Sequence, residues 1–409
     1  AGLLGTNDMK QLLDLAESRS VRIILGGDTR QHSSVIRGDA LRILNTVAGI
    51  KSAEVSRIYR QKNEQYRSAV QNLADGDIKT AFEKLDAMGV IQSIDPMQPH
   101  KKLVDDYVAT IKKGKSALVV SPTHSQGDQV TEAIRTKLKK EGKLGKKELK
   151  ASRLNNLNLT EAEKSDWKSF SEGQIIQFNQ NVKGAKRGSI WTVAQTGAEG
   201  IVLSGPDGEN LTLPTQKSKT YDAFEKKEIG LSKGDQIRLT RNGFDAKDKR
   251  LTNGQTLEVV SVKQNGQILL RHPQSHTTYE VDKEFGHLAH AYCVTSHASQ
   301  GRTVDEVFIA QPAATFPATD AKQFYVSVSR GRDNVHIYTD DKEQLLEYAS
   351  ESGDRQSAME LVERGKPTMD YTQQRIRQDM ERPPEPNEKR KDIEKERPTP
   401  SIDDPYEPV

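Results

Sequence analysis

The stretch Ala-Leu-Val-Val-Ser-Pro-Thr-His-Ser-Gln-Gly-Asp-Gln-Val, at residues 117–130, sets the class of fold that this sequence predicts. Its apolar start, residues 117–120, is short and is followed at once by Ser-Pro-Thr, a pattern that predicts a buried strand ending in a loop. Residues 130–140 continue as a helical pattern with a basic end. The succession of strand, loop and helix is typical of a parallel sheet.

Other segments repeat this alternation on both sides of that stretch. Residues 21–25, Val-Arg-Ile-Ile-Leu, predict a short buried strand that leads into the turn Gly26-Gly27-Asp28. Residues 307–310 and 336–338 predict two more strands, with a helix at 324–330 between them. We therefore expect an α/β fold built on parallel sheet.

The pattern changes between about Trp167 and His287, where short alternating runs predict strands separated by turns. The runs are at residues 175–178, 188–193, 201–203, 237–239, 257–260 and 268–270, and the turn glycines are at 205–208, 253–254 and 265–266. Such a block predicts one or two small β-barrels. We expect Trp167, Trp191 and Phe178 to fill barrel cores rather than to stack on bases.

Composition limits the class of protein. The chain has 409 residues, 29% charged and 34% hydrophobic, which indicates a soluble protein of two or more domains. No run of eighteen apolar residues and no signal peptide is present, and the single cysteine, Cys293, fits a reducing cytoplasm. Because 61 basic and 58 acidic side chains nearly cancel, any basic surface must be local.

Two polar segments in the first sixty or so residues have the residue types of a nucleotide site. Gly27-Asp28-Thr29-Arg30-Gln31 follows the predicted strand at 21–25, and loops at the carboxyl edge of parallel strands bind ligands. The Gln31 amide can contact a γ-phosphate or its attacking water, while Asp28 can fix the loop. Arg60, within Ile-Tyr-Arg-Gln, can neutralise charge on a transferred phosphoryl group. Taken singly, the first segment would favour a surface turn with polar residues, and the alternative for the second is an arginine paired on a helix surface.

Two more polar segments lie near the end of the α/β pattern. Residues 294–303, Val-Thr-Ser-His-Ala-Ser-Gln-Gly-Arg-Thr, offer donors to phosphates and a glycine for close backbone approach, although an ordinary polar loop is as good an interpretation. Residues 325–332, Tyr-Val-Ser-Val-Ser-Arg-Gly-Arg, place Arg330 near a helix end between small residues. We interpret Arg330 as functional and Arg332 as a surface charge.

The order of these four segments resembles motifs III, IV, V and VI of superfamily 1 helicases. The resemblance is to the helicase region of MobF-type conjugative relaxases, with exodeoxyribonuclease V alpha-type helicases as further relatives. Residues 117–130 are similar to a strand and loop of the family's second RecA-like domain, and residues 234–242 resemble part of its β-barrel insert. The resemblance extends over roughly residues 1–345.

The resemblance implies a domain organisation. Residues 1–50 correspond to the C-terminal remnant of a first RecA-like domain, and residues 51–165 with 288–345 to the second. Residues 166–287 correspond to an SH3-like β-barrel insert. A helical extension at 346–365 and a disordered, proline-rich tail at 366–409 complete the chain.

The resemblance also implies roles for individual residues, and it implies ATP and Mg²⁺ as cofactors of the intact parent protein. Gln31, Arg60 and Arg330 match the groups that contact the γ-phosphate; Gly27, Asp28 and Gly301 match positions next to the nucleotide. The implied contacts with single-stranded DNA are Thr123, His124, Thr295 and His297. Partners would be single-stranded DNA, the remaining helicase and relaxase domains and the conjugation machinery, with no membrane.

Two parts of the helicase machinery have no counterpart in the sequence. The family's motif II ends in Asp-Glu-Ala, and Ala1 resembles the residue after its two carboxylates. Gly114-Lys115-Ser116 is not a phosphate-binding loop, because Ala109 occupies the position of its first glycine and the segment precedes a strand; Gly114 is expected to end a helix. No metal site is expected, and His287 and His290 are interpreted as structural.

Three interpretations of function therefore stay open. The chain is the C-terminal part of a conjugative helicase, inactive for ATP hydrolysis unless the missing part is supplied, or it is a DNA-binding fragment without ATPase activity. The third is a repair helicase of the exodeoxyribonuclease V alpha type. In the first two, the β-rich block is expected to bind single-stranded DNA weakly and with strong salt dependence.

Overall fold

A computed structural model describes residues 1–34, 38–50, 52–55 and 57–354 of the chain. The predicted disordered tail at 366–409 and most of the predicted helical extension at 346–365 lie outside these residues. Ten α-helices occur in the described part: α1 (Thr6–Ser18), α2 (Ala40–Thr46), α3 (Glu64–Asp75), α4 (Ile78–Ala87), α5 (Lys101–Lys112), α6 (His124–Lys140), α7 (Glu161–Ser165), α8 (Ser296–Ser299), α9 (Ala321–Val328) and α10 (Lys342–Ser350). Among them, none combines the length and the apolar character needed to cross a bilayer.

The strands of the same residues fall into one parallel sheet and a β-rich block. In chain order they are β1 (Ile91–Ser93), β2 (Ala117–Ser121), β3 (Glu148–Asn156), β4 (Ile175–Phe178), β5 (Ile190–Gly197), β6 (Gly200–Ser204), β7 (Asn210–Thr212), β8 (Tyr221–Ser232), β9 (Gln236–Leu239), β10 (Gly243–Phe244), β11 (Arg250–Leu251), β12 (Thr256–Val262), β13 (Gln267–Arg271), β14 (Thr278–Asp282), β15 (Leu288–His290), β16 (Cys293–Thr295), β17 (Val304–Ala310) and β18 (Gly331–Thr339).

The parallel sheet has the order β1-β18-β17-β2-β16 and confirms the predicted α/β architecture. Alternate residues of its strands face opposite layers of helices. Val307 and Ile309 of β17 pack in the cluster that holds residues of α3, α4, α9 and α10. Phe308, between them, packs in the cluster with residues of α5 and α6. The sheet is therefore buried on both faces, which is why β2 and the second half of β17 are continuous apolar runs in the sequence.

Helix α6 shows how local sequence directs this packing. The Thr123 hydroxyl accepts a hydrogen bond from the Gln126 amide at 3.3 Å and caps the first turn, so the helix starts at His124, earlier than predicted. Val130, Ile134 and Leu138 recur every four residues and form the buried stripe. The last turn carries three lysines, which favour the negative end of the helix dipole.

The β-rich block consists of two large antiparallel sheets, β14-β13-β12-β9-β15 and β3-β8-β4-β5-β6-β7, and the two-stranded sheet β10-β11. Each of the two large sheets covers its own apolar core. The twelve-residue strand β8 connects them, because its start, Tyr221, packs in one core and its end, Leu231, packs in the other. The turn glycines Gly254 and Gly266 adopt left-handed backbone conformations, with φ of 84° and 90°, as expected at hairpin turns.

Several sequence predictions for particular residues are wrong, and several strands were not predicted. Residues 21–25 form no strand; Val21 and Ile24 are 57% and 97% exposed, since no described strand lies beside them to supply hydrogen bonds. Trp167 does not fill a core but lies in a short 3-10 turn, 36% exposed, whereas Trp191 and Phe178 are buried as predicted. Strand β3 was not recognised from its polar sequence.

The histidines and the Gly-Lys-Ser segment behave as predicted. The His287 ring hydrogen-bonds the Gln177 side chain at 2.9 Å, and the His290 ring hydrogen-bonds the Gly230 carbonyl at 2.9 Å, so both are satisfied by the protein. His287 directly precedes β15 and His290 is its last residue, so the two histidines share no helix face. Gly114 follows the end of α5 with φ of 75°, as a helix stop does.

One buried ion pair joins the β-rich block to the parallel-sheet domain. The Arg135 guanidinium of α6 donates from Nε and Nη2 to the two carboxylate oxygens of Asp235, both at 3.0 Å. The side chains are only 3% and 0% exposed. Asp235, in the turn between β8 and β9, also accepts from the Tyr292 hydroxyl at 3.0 Å and the Ser232 amide at 2.7 Å. A bidentate pair with all oxygens occupied fixes the orientation of the two parts.

Replacing Asp235 with asparagine should strongly destabilise the protein. The change keeps the shape but leaves the Arg135 charge buried without its main counter-charge, which typically costs on the order of 3 kcal/mol or more. Urea denaturation is the measurement, and Glu228→Gln is the control, because its ion pair with Lys150 is exposed (70% and 78%). Equal midpoints for the two variants would contradict the assigned role of the pair.

Candidate functional site

The loop at residues 28–31 is held by one carboxylate. Asp28 accepts hydrogen bonds from the Arg30 amide at 2.9 Å and from the Gln31 side chain at 3.0 Å. Preceding it, Gly27 packs so closely on the Leu41 side chain that an added Cβ would collide with it. Although residues 21–25 form no strand, the loop is therefore fixed by its own polar groups and by α2.

This loop contacts the two polar segments near the end of the α/β pattern. The Gln31 side-chain oxygen accepts a hydrogen bond from the side-chain amide of Gln300 at 3.1 Å. The Asp28 carboxylate accepts one from the Tyr325 hydroxyl at 3.4 Å. Three segments far apart in the sequence thus meet in one place, as the motif order predicted they should.

Arg330 lies in this meeting point, directly after α9, and its side chain is nearly all buried, at 1% exposed. Its guanidinium donates to the Val326 carbonyl and the Ser329 hydroxyl, both at 2.7 Å. Burial first, and then the positive charge of Arg60, lower the pKa of Arg330 to about 10. Within the described residues neither arginine forms an ion pair with a carboxylate.

The segment around Arg60 is attached to the end of α9. The Arg60 guanidinium donates to the Ser329 carbonyl at 2.7 Å. The side-chain amide of Gln61 donates to the carbonyls of Ser329 and Gly331 at 3.1 and 2.9 Å. The buried Tyr66 hydroxyl donates to the Val328 carbonyl at 2.5 Å. These contacts satisfy the carbonyls at the helix end and hold the two arginines side by side.

Gly331 is required by this arrangement. A Cβ at this position would collide with the Asn334 carbonyl oxygen and would approach the Tyr66 hydroxyl. The Ser-Arg-Gly sequence therefore has a local explanation: a small residue before Arg330 and no side chain after it. Arg332, two residues further, is 44% exposed and pairs with Asp305 at 2.7 Å, as a surface charge does.

Residues 295–302 form a turn with the short helix α8 at its centre. Thr295 is the N-cap of α8, and its hydroxyl accepts from the Ala298 amide at 3.4 Å. Gly301 is exposed and has a left-handed backbone, with φ of 83°, so any other residue would be strained there. Gly301 thus ends the turn, while Gln300 beside it contacts Gln31.

His32 is a residue of the site that the sequence did not reveal. It is buried, its ring hydrogen-bonds the Ser296 hydroxyl at 2.6 Å, and it stacks on His297 with ring centroids 3.6 Å apart. Burial first, and then the positive charges of His297, Lys322 and Arg330, lower its pKa to about 3. A histidine directly after Gln31 was the only signal for it in the sequence.

The predicted DNA contacts divide between two places. Thr123, His124 and Thr295 line one cleft at the carboxyl edge of the parallel sheet, because β16 pairs with β2 there. His297 lies instead against His32. Arg153 and Arg238 of the β-rich block also line the cleft and were not singled out from the sequence. Within the described residues, no group of three or more His, Cys, Asp or Glu side chains is arranged to hold a metal ion.

Known protein families and curated proteins match parts of this chain. Residues 1–96 match a family described as AAA domain, and residues 290–338 match the UvrD-like helicase C-terminal domain. The conjugal transfer protein TraA of Rhizobium radiobacter is 23% identical over 341 residues, 83% of this chain and 24% of that protein. The multifunctional conjugation protein TraI of Escherichia coli K12 is 20% identical over 423 residues, 89% of this chain and 23% of that protein.

The chain thus spans about a quarter of the length of these curated relatives. Among solved structures, the Pif1 helicase from Candida albicans has a TM-score of 0.44 at 13% identity, covering 89% of this chain and 75% of that one. A Bacteroides Pif1 helicase in complex with ADP-AlF3 and ssDNA has a TM-score of 0.35 at 14% identity, covering 89% and 73%. The sequence matches confirm the predicted resemblance to the helicase region of conjugative relaxases.

Acid should weaken the fold through His32. The unfolded chain takes up a proton near pH 6.5 while the folded chain resists it to about pH 3, so the stability that neutral His32 contributes is complete above pH 6.5 and is lost as the pH falls towards 3. Urea denaturation at about pH 7.5 and about pH 5.5 gives the free energy of unfolding at each pH. Of the loss of this free energy in acid, up to about 1.4 kcal/mol should disappear in His32→Asn.

The matched control for this prediction is His276→Asn. His276 is exposed and has φ of 55°, a conformation that asparagine also tolerates. This variant should keep the full acid-induced loss. If His32→Asn kept it as well, His32 would not be the buried neutral group described above.

Proposed function

We propose that this chain is the C-terminal portion of an ATP-dependent DNA helicase or translocase, the motor part of a conjugative relaxase that unwinds plasmid DNA for transfer. Sequence similarity to two conjugation proteins over more than four-fifths of the chain supports this. The proposal includes action in the cytoplasm, in keeping with a single unpaired cysteine.

The observation that carries the proposal is the pair Arg60 and Arg330. Two guanidinium groups lie close together without a carboxylate partner, one of them at 1% exposure, next to the Asp28–Gln31 loop. Buried positive charge of this kind is costly unless an anion compensates it. A nucleotide γ-phosphate is an anion of suitable charge, and arginines supplied at that position stabilise phosphoryl transfer.

In this mechanism each group has a defined task. ATP supplies the phosphoanhydride bond whose cleavage drives the cycle. Gln31, held by Asp28, is suited to orient the attacking water, since its amide both donates and accepts. Arg60 and Arg330 neutralise the charge that develops on the transferred group. Within the described residues no three His, Cys, Asp or Glu side chains are arranged around a metal ion, and no step here is assigned to Mg²⁺.

Coupling to DNA would run through the turn at 295–302. Gln300 of this turn contacts Gln31, and Ser296 contacts His32, so closing the nucleotide side moves the turn. Thr295, at the other end of the turn, lines the cleft with Thr123 and His124. Each closure would therefore shift the groups proposed to hold single-stranded DNA. The partners would be single-stranded DNA, the remaining helicase and relaxase domains, and the conjugation machinery.

One alternative has its own support. Because Gly114-Lys115-Ser116 precedes β2 and does not open a helix, it is no phosphate-binding loop, and the chain by itself would be a single-stranded DNA-binding fragment without ATPase activity. The repair-helicase interpretation is less favoured, because the curated relatives are conjugation proteins. A histidine-triad relaxase domain encoded upstream of Ala1 would support the conjugative assignment.

Arg330→Ala in the full gene product should reduce DNA-stimulated ATP turnover by roughly 10³-fold or more, as expected when an arginine that stabilises phosphoryl transfer is lost. Arg332→Ala is the matched control, an arginine two residues away that pairs with Asp305 on the surface, and it should leave turnover unchanged. Arg330→Lys, which keeps the charge but not the two-sided hydrogen bonding, should retain the fold and still be impaired.

The full gene product distinguishes the two main interpretations. It should hydrolyse ATP in the presence of single-stranded DNA, while the isolated chain should hydrolyse none with or without DNA. ATP turnover by full-length Arg330→Ala at the wild-type rate, with the variant folded by circular dichroism, would contradict the assignment of Arg330. Absence of ATPase activity in the full gene product would favour the DNA-binding alternative.

A further inference from the structure

Three arginines from different parts of the fold lie together beside the cleft that Thr123, His124 and Thr295 line. Arg153 comes from β3 of the six-stranded sheet and Arg238 from β9 of the five-stranded sheet; both line the cleft. Arg302 comes from the end of the turn at 295–302 and donates to the Gly254 carbonyl at 3.4 Å. The cluster therefore exists only where the β-rich block meets the parallel-sheet domain.

The positions of Arg153 and Arg238 are fixed by their strands. Arg238 is paired on both sides, with Thr256 of β12 and Ala289 of β15, and it lies between Ile237 and Leu239, which point into the core. Because side chains alternate along a strand, Arg238 faces away from that core and towards the cleft. Arg153 likewise precedes Leu154, whose side chain is buried on the opposite face of β3.

The charge of the cluster is not balanced by the protein. Asp128 accepts from Arg153 at 3.2 Å, but within the described residues Arg238 and Arg302 have no acidic partner. The Nε of Arg238 is buried and has no hydrogen-bond acceptor. Burial first, and then the charges of Arg302 and Arg153, lower the pKa of Arg238. Like charges held this close are unfavourable unless an anion is bound between them.

Two further features specify the kind of anion. The seventeen-residue helix α6 begins at His124, so the positive end of its dipole lies at the same cleft. Among the described residues, the side chains that line the cleft include no Phe, Tyr or Trp on which a base could stack. The cleft therefore has groups that recognise phosphate, without the aromatic rings typical of base-stacking sites.

We propose that Arg153, Arg238 and Arg302 form a clamp for backbone phosphates of single-stranded nucleic acid, independent of base sequence. The inference rests on the proposed function, since it assigns the DNA-binding side of the same motor to residues of the β-rich block. It also gives that block a task besides its packing, because two of the three arginines belong to it.

The test is the salt dependence of binding to oligo-dT, measured by fluorescence anisotropy with the full chain. For single strands the logarithm of the binding constant falls with the logarithm of salt concentration, with a slope of about 0.7 per phosphate contact. Arg238→Gln should reduce the slope by about 0.7, and Arg153→Gln with Arg238→Gln should reduce it further. Arg238→Lys should restore most of the slope, because it restores the charge.

The control variant is Arg271→Gln. Arg271 is on β13 of the same sheet as Arg238, but it is paired with Glu258 at 2.8 Å. Its replacement should leave the slope unchanged. Thermal unfolding provides a second readout: Arg238→Gln should unfold at the same or a higher temperature than the wild type, since it removes a repelling charge, whereas a purely structural arginine would lower it.

The outcomes separate this inference from the function on which it rests. If the wild type binds no oligo-dT, the proposed DNA-binding function fails. If the wild type binds and Arg238→Gln keeps the full salt slope, the clamp is overturned while DNA binding stands. Binding of polyglutamate without binding of oligo-dT would assign the cleft to an acidic protein partner and overturn both.

Discussion

The pairing of β16 with β2 is the constraint on which the site depends. These strands lie side by side in parallel, with Thr295 opposite Ser121, although the whole β-rich block separates them in the sequence. Parallel strands end at the same edge of a sheet, so the pairing brings Thr295 next to Thr123 and His124. It also requires the block to leave and re-enter the domain at neighbouring points. The Arg135–Asp235 pair and the Tyr292 hydroxyl hold the block at that junction.

Much of the fold could be predicted because the responsible signals are local. The apolar run of β17 is buried on both faces, and the turn glycines of the block occupy left-handed conformations, so each reveals its structure without its neighbours. The failures depended on partners. Residues 21–25 have the residue types of a strand, but a strand needs another strand beside it. Strand β3 has few apolar residues because only a minority of its side chains reach a core.

The candidate site, like the fold, could be predicted only in part. Gln31, Arg60 and Arg330 were identified from the order of short motifs, and the structure places their segments in contact. Arg153, Arg238 and His32 could not be found in this way, because nothing in their local sequence distinguishes them from surface or core residues. Their environment is created by tertiary packing, where two sheets and a helix end meet. A buried charge without a partner is visible only once the fold is known.

The buried arginines differ in whether a carboxylate is paired with them. The Arg135 side chain is only 3% exposed, and the Asp235 carboxylate accepts two hydrogen bonds from it. Arg330, equally buried, and Arg238, half-buried, have none among the described residues. The chain thus pairs the arginine that holds its parts together and leaves unpaired the two that lie at the proposed nucleotide and DNA sites. The turn at 295–302 is close to both unpaired groups, because its Gln300 contacts Gln31 and its Arg302 is close to Arg238. An anion bound beside Arg330 or beside Arg238 would restrain that turn, and binding at one place would then change the affinity at the other by the same factor in both directions.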